Sequence, residues 1–413
     1  MNKSVQKRLL GRLAAVLTVV VLSYTVKSQS KDLDDFVLER MKADHVPGLS
    51  ACIVIKDKLV WEKGYGWADI EQKIPMTADT IQNIGSISKT ITATAVMQLW
   101  EKGKFELDKD VNRYLPFKVR NPRFPDDPIT FRHLLTHKSS IKDGPAYGKS
   151  YACGDPTISL KDWIQGYLPP EGKYFDRQDN FHTWKPGTIK IPDGPSAYTN
   201  VGFGLLGYLV EVISGMDFAE YCKNHIFEPL GMTHTGWKLT DIDARHHAVP
   251  YTYISEDFKM PEELTFESFL PRYGKDKQTI TKGDLFPHCL YSFSNYPDGL
   301  VRTSVTDLSR FLRAYINEGT FDDKQILKKE TVQSMLSQDH YGRGLCWFPI
   351  MQKNDQIVWG HTGGDPGIWT QMQFLQKDGM GMIIFFNFDS PRKGCREIMT
   401  KLFEDAARAL EGR

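Results

Sequence analysis

The hydroxyl of Ser86 and the amine of Lys89 stand three residues apart in Gly85-Ser86-Ile87-Ser88-Lys89, a spacing that makes two side chains neighbours on one helical face. A serine hydroxyl is a poor nucleophile until a base takes its proton. A lysine driven toward its neutral form by burial can be that base, and a backbone N–H at the helix start can face the oxyanion formed by attack on a carbonyl. The spacing by itself is common, recurring at Ser4/Lys7, Ser28/Lys31, Ser139/Lys142 and Ser390/Lys393. Context separates Ser86 from the others: a glycine precedes it, and Ile87, Ile91, Ala95, Val96, Leu99 and Trp100 follow at helical spacing up to Gly103, which predicts a long amphipathic helix.

Two further groups carry chemistry. Ser196-Ala197-Tyr198-Thr199-Asn200 leads into the apolar run Val201 to Gly207, which places a phenol and an amide at a helix start. Tyrosine can relay a proton beside an ammonium, and asparagine can hold both a lysine amine and a substrate amide. A second Tyr-x-Asn, Tyr315/Asn317, sits where a helix ends and reads as unrelated. His361-Thr362-Gly363-Gly364 follows the strand-like Gln356-Ile357-Val358-Trp359, so its backbone is expected along an exposed sheet edge with N–H groups free for a ligand. The other His-Thr-Gly, at His234 to Gly236, trails a loop and reads as a turn.

These groups need a scaffold, and 413 residues with 41% hydrophobic and 25% charged content have the composition of a folded protein with a large core. A net charge of +1 without basic blocks beyond the N-terminus gives no electrostatic footprint for nucleic acid. Lys3, Lys7, Arg8 and Arg12 precede an apolar stretch from Leu13 to Val26. That is the pattern of a signal peptide over residues 1–28, with export to the periplasm or medium. The alternative is an uncleaved anchor, but the stretch falls short of the roughly 20 residues that span a bilayer. Six scattered cysteines form no zinc or redox motif; Cys52 reads as a buried thiol, and Cys153 and Cys289 lie in loop-like sequence where they can pair in an oxidising compartment.

After a helix-like segment from Asp32 to Met41, Leu49 to Ile55 and Leu59 to Trp67 read as a hairpin around Lys56-Asp57-Lys58. Residues 107–291 are helix and loop in character, including helices over Val201 to Ser214 and Phe218 to His225. Strands return at Gln356 to Trp359, Trp369 to Phe374 and Met380 to Phe388, before a last helix from Glu397 to Leu410. The expected fold is α/β of the α+β kind: an antiparallel sheet built from both chain ends, flanked by helices, with an inserted, mostly helical subdomain. Within one domain over 29–413, the sheet part takes 29–103 and 292–413, and the helical part 104–291. Tyr147, Tyr151, Trp163, Tyr167, Tyr174, Phe175 and Trp184 fall in the irregular stretch Ser139 to Pro195, which either walls a binding site or packs on the surface.

In this order the three elements resemble those of the serine β-lactamase-related hydrolases, nearest to class C β-lactamases, D-alanyl-D-alanine carboxypeptidases and esterases. The resemblance also takes in Pro47-Gly48, Gly64-Tyr65-Gly66, Leu134-Leu135-Thr136-His137, Pro229-Leu230-Gly231-Met232 and Gly299-Leu300-Val301, and covers nearly the whole mature chain. It implies the β-lactamase/transpeptidase-like fold of penicillin-binding proteins. It further implies that Ser86 is acylated, that Lys89 is its base partner and that Tyr198 passes a proton to the leaving atom. Asn200, His361, Thr362 and Gly363 would bind substrate, with the N–H groups of Ser86 and Gly364 as oxyanion hole. No metal or organic cofactor is implied, and the partner would be a small-molecule or peptide substrate, cell-wall fragments included.

Two positions depart from the pattern. His361 stands where many β-lactamases have lysine, so attraction for a substrate carboxylate is weaker and esters, amides or D-amino-acid peptides are favoured over efficient β-lactam hydrolysis. Lys138-Ser139-Ser140 replaces the familiar Thr-Ser-Gly after His137. His133 and His137 are four apart, but no glutamate follows His133 as a metalloprotease requires, and they read as loop anchors. His246-His247 reads as a solvated or packed pair, and Trp359 and Trp369 as strand packing. The rival to an enzyme is a non-catalytic penicillin-binding or sensor domain on the same fold.

Overall fold

Gly48–Ile55 (β1) is buried along its whole length, as a strand at the centre of a sheet covered on both faces must be. It turns through Lys56 and Asp57, whose φ of 49° and 62° are those of a tight hairpin turn, into Lys58–Asp69 (β2). The computed structural model describes residues 32–189, 197–258, 280–338, 342–353, 355–389 and 392–411. The expected leader and Ser196 lie outside the described residues, as do 190–195 and 259–279 of the two long loop regions.

Beside β1 and β2 lie Ile74–Pro75 (β3) and four strands from the far end of the chain: Phe348–Lys353 (β4), Gln356–Asp365 (β5), Ile368–Leu375 (β6) and Met380–Phe386 (β7). They make one seven-stranded sheet in the order β4-β5-β6-β7-β1-β2-β3, and every pairing is antiparallel. β7 pairs with β1, Leu49 opposite Phe386, so the two ends of the chain close the sheet together. Alternate residues of β1 and β7 serve opposite faces. Ala51, Ile53, Met382 and Ile384 pack under a helix over 32–44 (α1) and a C-terminal helix, with Val37, Met41, Ile398 and Leu402. Cys52, Val54, Ile383 and Phe385 face the larger cluster, which runs into the helical part of the chain.

Three helices of that second layer position the chemistry. Ser88–Glu101 (α2) is buried from Ser88 through Leu99, so the amphipathic expectation is corrected. α2 packs against Val201–Ser214 (α3), the turn Tyr296–Asp298 and Phe218–Cys222, which leaves it no solvated face. Its threonines are satisfied within the core: Thr92 donates to Pro297 O at 2.6 Å, and Thr94 shares a 2.7 Å hydrogen bond with Tyr315. Val305–Ile316 (α4), capped by Ser304, packs on β1 and β7. The C-terminal helix is Lys393–Glu411 (α5). The predicted helix over Phe218 to His225 is Phe218–Cys222 followed by a wider π-type turn, Lys223–Phe227. Among the described residues no single helix is long and apolar enough to cross a membrane.

Candidate active site

The turn that carries Ser86 is held by the sheet. Gly85 has φ +53°, a conformation glycine adopts without strain, and donates its N–H to Asn83 Oδ1 at 2.8 Å. Ile84 donates its N–H to Val301 O, and its carbonyl accepts from Thr370 of β6 at 2.7 Å. Ser86 then opens a 3-10 turn, Gly85–Ile87, that runs into α2. Its side chain is only half-buried, whereas Lys89 is fully buried beneath it.

Lys89 is the hub of the site. Its Nζ donates to Ser86 Oγ at 3.0 Å, Asn200 Oδ1 at 2.7 Å and Asp298 O at 2.7 Å, and lies 3.5 Å from Asp298 Oδ2. It also sits 4.9 Å from the centre of the Tyr198 ring. Burial alone would make this amine easier to deprotonate, but its contact with Tyr198 and the charges of Asp298 and Asp143 outweigh it and hold the pKa above the usual 10.5. The expectation that desolvation drives Lys89 toward neutrality is therefore corrected: the resting amine is a paired ammonium. Burial pushes the Tyr198 phenol up despite its contacts with Lys89 and Ser86, so that hydroxyl keeps its proton at rest.

Tyr198 and Asn200 are placed by the start of α3. The Asp143 carboxylate accepts from the N–H groups of Asn200 and Val201, each at 2.9 Å, and from Thr199 Oγ1 at 3.1 Å, which caps the helix. From the other side Asn295 donates to Asn200 O at 2.9 Å and to Asp298 Oδ1 at 2.8 Å. Gly204 of α3 makes this possible, because a Cβ there would fall 1.8 Å from Asn295 Oδ1. His137 stacks on Tyr198 with ring centres 4.1 Å apart and accepts from Thr199 N at 3.2 Å. That is more than a loop anchor. Burial, with Lys89 and His361 nearby, holds its pKa well below the ordinary histidine value, so it packs as a neutral ring. Ser140 takes φ +62° where the related pattern has glycine, and the loop keeps that bend with a hydrogen bond from Asn121 to Ser140 Oγ at 3.0 Å.

β5 closes the cleft. β4 pairs with it only as far as Phe348 opposite Gly360, so from His361 onward one edge carries no strand among the described residues. That edge faces the Ser86 turn: a Cβ built on Gly85 would lie 2.8 Å from Gly364 N. Thr362 and Gly364 are exposed, while His361 is buried. The short 2.6 Å contact from His361 Nδ1 to Thr362 O requires the proton on Nδ1. Burial, then the Lys89 charge, push the ring's pKa down to about 3. His361 is therefore a neutral ring whose acceptor nitrogen Nε2 is buried. A Cβ on Gly363 would lie 2.1 Å from Ile84 O and 2.4 Å from Thr370 Oγ1. Gly363→Ala is thus expected to push β5 off the Ser86 turn and lower kcat about a hundredfold, the scale of one lost oxyanion donor. Ester kinetics beside a melting curve check this, since a melting temperature lower by several degrees should accompany the loss.

Ser86, Lys89, Tyr198, Asn200, His361, Thr362, Gly363 and Gly364 thus come from three separate stretches of chain to one cleft. Sequence reasoning missed Asp298 and Asp143, for which no motif speaks, and Asp365, which follows Gly364 in the third element but drew no role. The aromatic stretch divides. Tyr147 and Tyr151 reach the site, with Tyr147 Oη donating to Asp298 Oδ2 at 2.9 Å and Tyr151 Oη to Asp365 Oδ1 at 2.7 Å. Trp163 and Tyr167 pack into the core. Cys153 pairs with Cys289, tying the Tyr151 loop to the segment before Tyr291; Cys52, Cys222, Cys346 and Cys395 are buried free thiols. The second copies of the motifs stay apart: Tyr315 is a core residue and His234 lies in a turn. His246 is exposed while His247 packs against Arg302. Trp359 is buried, and Trp369 packs on Phe386.

A large antiparallel sheet with a Ser-x-x-Lys helix start facing the open edge of one strand is the β-lactamase/transpeptidase fold. The chain belongs to the beta-lactamase family, whose model matches residues 33–403. It is 26% identical over 356 residues to the putative penicillin-binding protein PbpX of Bacillus subtilis, covering 86% of this chain and 74% of that protein. It is 26% identical over 366 residues to Protein flp of Staphylococcus aureus, covering 87% of this chain but only 63% of that longer protein. Among solved structures, a D-amino acid amidase from Ochrobactrum anthropi superposes with a TM-score of 0.71 at 19% identity, over 92% of this chain and 99% of that one.

Proposed function

We propose that this protein is an exported serine hydrolase that forms an acyl-enzyme at Ser86 and acts on ester, amide or D-amino-acid peptide bonds. The observation that carries this reading is the Lys89 amine, 3.0 Å from Ser86 Oγ and 2.7 Å from Asn200 Oδ1, below a half-buried serine that faces an open strand edge. Ser86 Oγ attacks the substrate carbonyl, whose oxygen is received by the N–H groups of Ser86 and Gly364. Lys89 and Tyr198 handle the proton that leaves Ser86 and returns to the departing atom. Water then repeats the attack on the acyl group. The solved amidase of like fold is consistent with an amide-cleaving member. The Cys153–Cys289 pair supports an oxidising compartment, in line with the leader-like N-terminus.

His361 shapes the choice of substrate. Held neutral, with its Nδ1 proton given to Thr362 O and its Nε2 buried, it offers nothing to a carboxylate, whereas a lysine there would offer a charge-assisted hydrogen bond. His361→Lys is expected to raise the ratio of kcat/KM for a chromogenic cephalosporin over that for a p-nitrophenyl ester by roughly tenfold or more. An unchanged ratio would count against this account of selectivity.

The reading itself is tested by intact-protein mass spectrometry after treatment with a fluorophosphonate, with turnover of short-chain p-nitrophenyl esters and D-amino-acid amides measured alongside. One adduct, mapped to Ser86, is the expected result. An unlabelled protein that turns over none of the substrates would sink the proposal.

A further inference from the structure

Beneath the Ser86–Lys89 pair a chain of polar side chains runs through the protein. Lys89 Nζ lies 3.5 Å from Asp298 Oδ2, with side-chain exposures of 0% and 3%. Tyr147 Oη donates to that same oxygen at 2.9 Å and lies 3.5 Å from Tyr151 Oη, which donates to Asp365 Oδ1 at 2.7 Å. Asp298 is gripped at every polar atom on its acceptor side: its carbonyl takes a hydrogen bond from Lys89 at 2.7 Å, and Oδ1 takes one from Asn295 at 2.8 Å. Two carboxyls buried in one network around a single ammonium are costly for a merely structural purpose, because the same space filled with apolar side chains is as stable or more so.

We infer that Asp298 is a positioning residue of the acylation centre, which holds Lys89 in place and takes up its spare proton when Ser86 is deprotonated, with Tyr147 as a donor to its carboxylate. The inference rests on acylation at Ser86. A resting ammonium cannot accept the serine proton unless it gives one away, and Asp298 is the acceptor beside it. As Ser86 Oγ bonds to the carbonyl carbon, the π pair moves to the carbonyl oxygen. The Ser86 proton goes to Lys89 Nζ, and one Lys89 proton goes to Asp298 Oδ2. When the tetrahedral intermediate collapses, the bond to the leaving atom breaks with its electron pair, and that atom receives a proton from Tyr198. Tyr198 is reprotonated by Lys89, which recovers its proton from Asp298. No proton is gained or lost.

The groups that face Lys89 are consistent with this assignment. Tyr198, Asp143 and Asp298 favour the ammonium, whereas His137 and His361 are held neutral beside it, and the Cys346 thiol is pushed well up by burial. Burial raises both Asp298 and Asp365 from their ordinary values, Asp365 to about 7. Each is thus poised to take a proton more readily than an exposed carboxylate.

The test is the pH profile of kcat/KM for a p-nitrophenyl ester in the full chain, for wild type and for Asp298→Asn, Asp298→Glu and Tyr147→Phe. In the wild type the acid limb reports protonation of the Asp298 carboxylate. In Asp298→Asn it reports Lys89 itself, so the limb is expected to move up by more than about one pH unit, with kcat at least about 100-fold lower and KM within about threefold. Asp298→Glu is expected to recover at least about tenfold of the lost kcat. Tyr147→Phe removes one donor to the carboxylate, which then protonates more easily, and the limb is expected to rise by about half a unit. Should Asp298→Asn fail to fold, Tyr147→Phe decides. Acid limbs unmoved in folded variants overturn the inference, including the case where kcat falls at constant pH dependence. Fluorophosphonate labelling of wild-type Ser86 separates the two readings: labelling with unmoved limbs removes only Asp298's role, whereas no labelling removes the acyl-enzyme itself.

Discussion

Ser86→Ala is expected to lower kcat on any turned-over ester by at least about 10⁴-fold, and to abolish fluorophosphonate labelling while leaving the melting temperature within a few degrees of wild type. The magnitude follows from the role: when the nucleophile of a covalent mechanism is removed, what remains is binding and oxyanion stabilisation acting on water. The stability forecast follows from the structure. Ser86 is half-buried, and the ammonium that donates to its Oγ keeps two other acceptors at 2.7 Å. Gly85 and Thr370, not the serine hydroxyl, hold the turn. Retained turnover in a folded Ser86→Ala protein would move the nucleophile elsewhere.

Lys89→Met should damage both activity and stability, and the two losses separate. Removing the proton carrier costs about 10³-fold in kcat, the middle of the range for positioned acid–base groups. The folded state loses about 3 kcal/mol as well, because the 0% and 3% exposed partners of a buried ion pair leave Asp298 without its cation. The pH dependence has a definite sign. Lys89 is among the causes that lower the Asp298 pKa, and burial already raises it above 3.8; without the lysine it rises further. A carboxyl whose folded pKa exceeds its unfolded value contributes stability below the unfolded pKa and loses it as pH rises through the folded one. Lys89→Met should therefore be closest to wild type in acid and fall behind progressively toward neutral pH. The double variant Lys89→Met/Asp298→Asn should regain most of the stability and none of the activity. Denaturant melts at pH 4.5 and 7.5 check this, and an equal deficit at both would show that the charge is not the cause.

Much of the site was legible in the chain because its chemistry is local. Ser86 and Lys89 meet through helical spacing, Tyr198 and Asn200 through a helix start, and Gly363-Gly364 through a strand that has to pass close to another backbone. Each is a short-range consequence of residue type. Helix limits followed the apolar pattern at α2 and α3, but the amphipathic reading of α2 failed, since its threonines are buried by hydrogen bonds that no periodicity reveals. The hairpin of β1 and β2 was readable from its turn, and the late strands from their β-branched and aromatic runs.

What the sequence by itself determined was therefore the set of reactive side chains and the elements that carry them. The tertiary structure decided how those groups are charged. Asp298 stands 209 residues from Lys89 and Tyr147 stands 151 from Asp298, and nothing in either neighbourhood announces the other. Only when α3, the turn at Tyr296–Asp298 and the Tyr147 loop pack around α2 do these groups share one low-dielectric interior. There the lysine that sequence reasoning took for a neutral base is an ammonium, because the energy of a buried charge is set by the partners within a few ångströms, however far apart they lie along the chain.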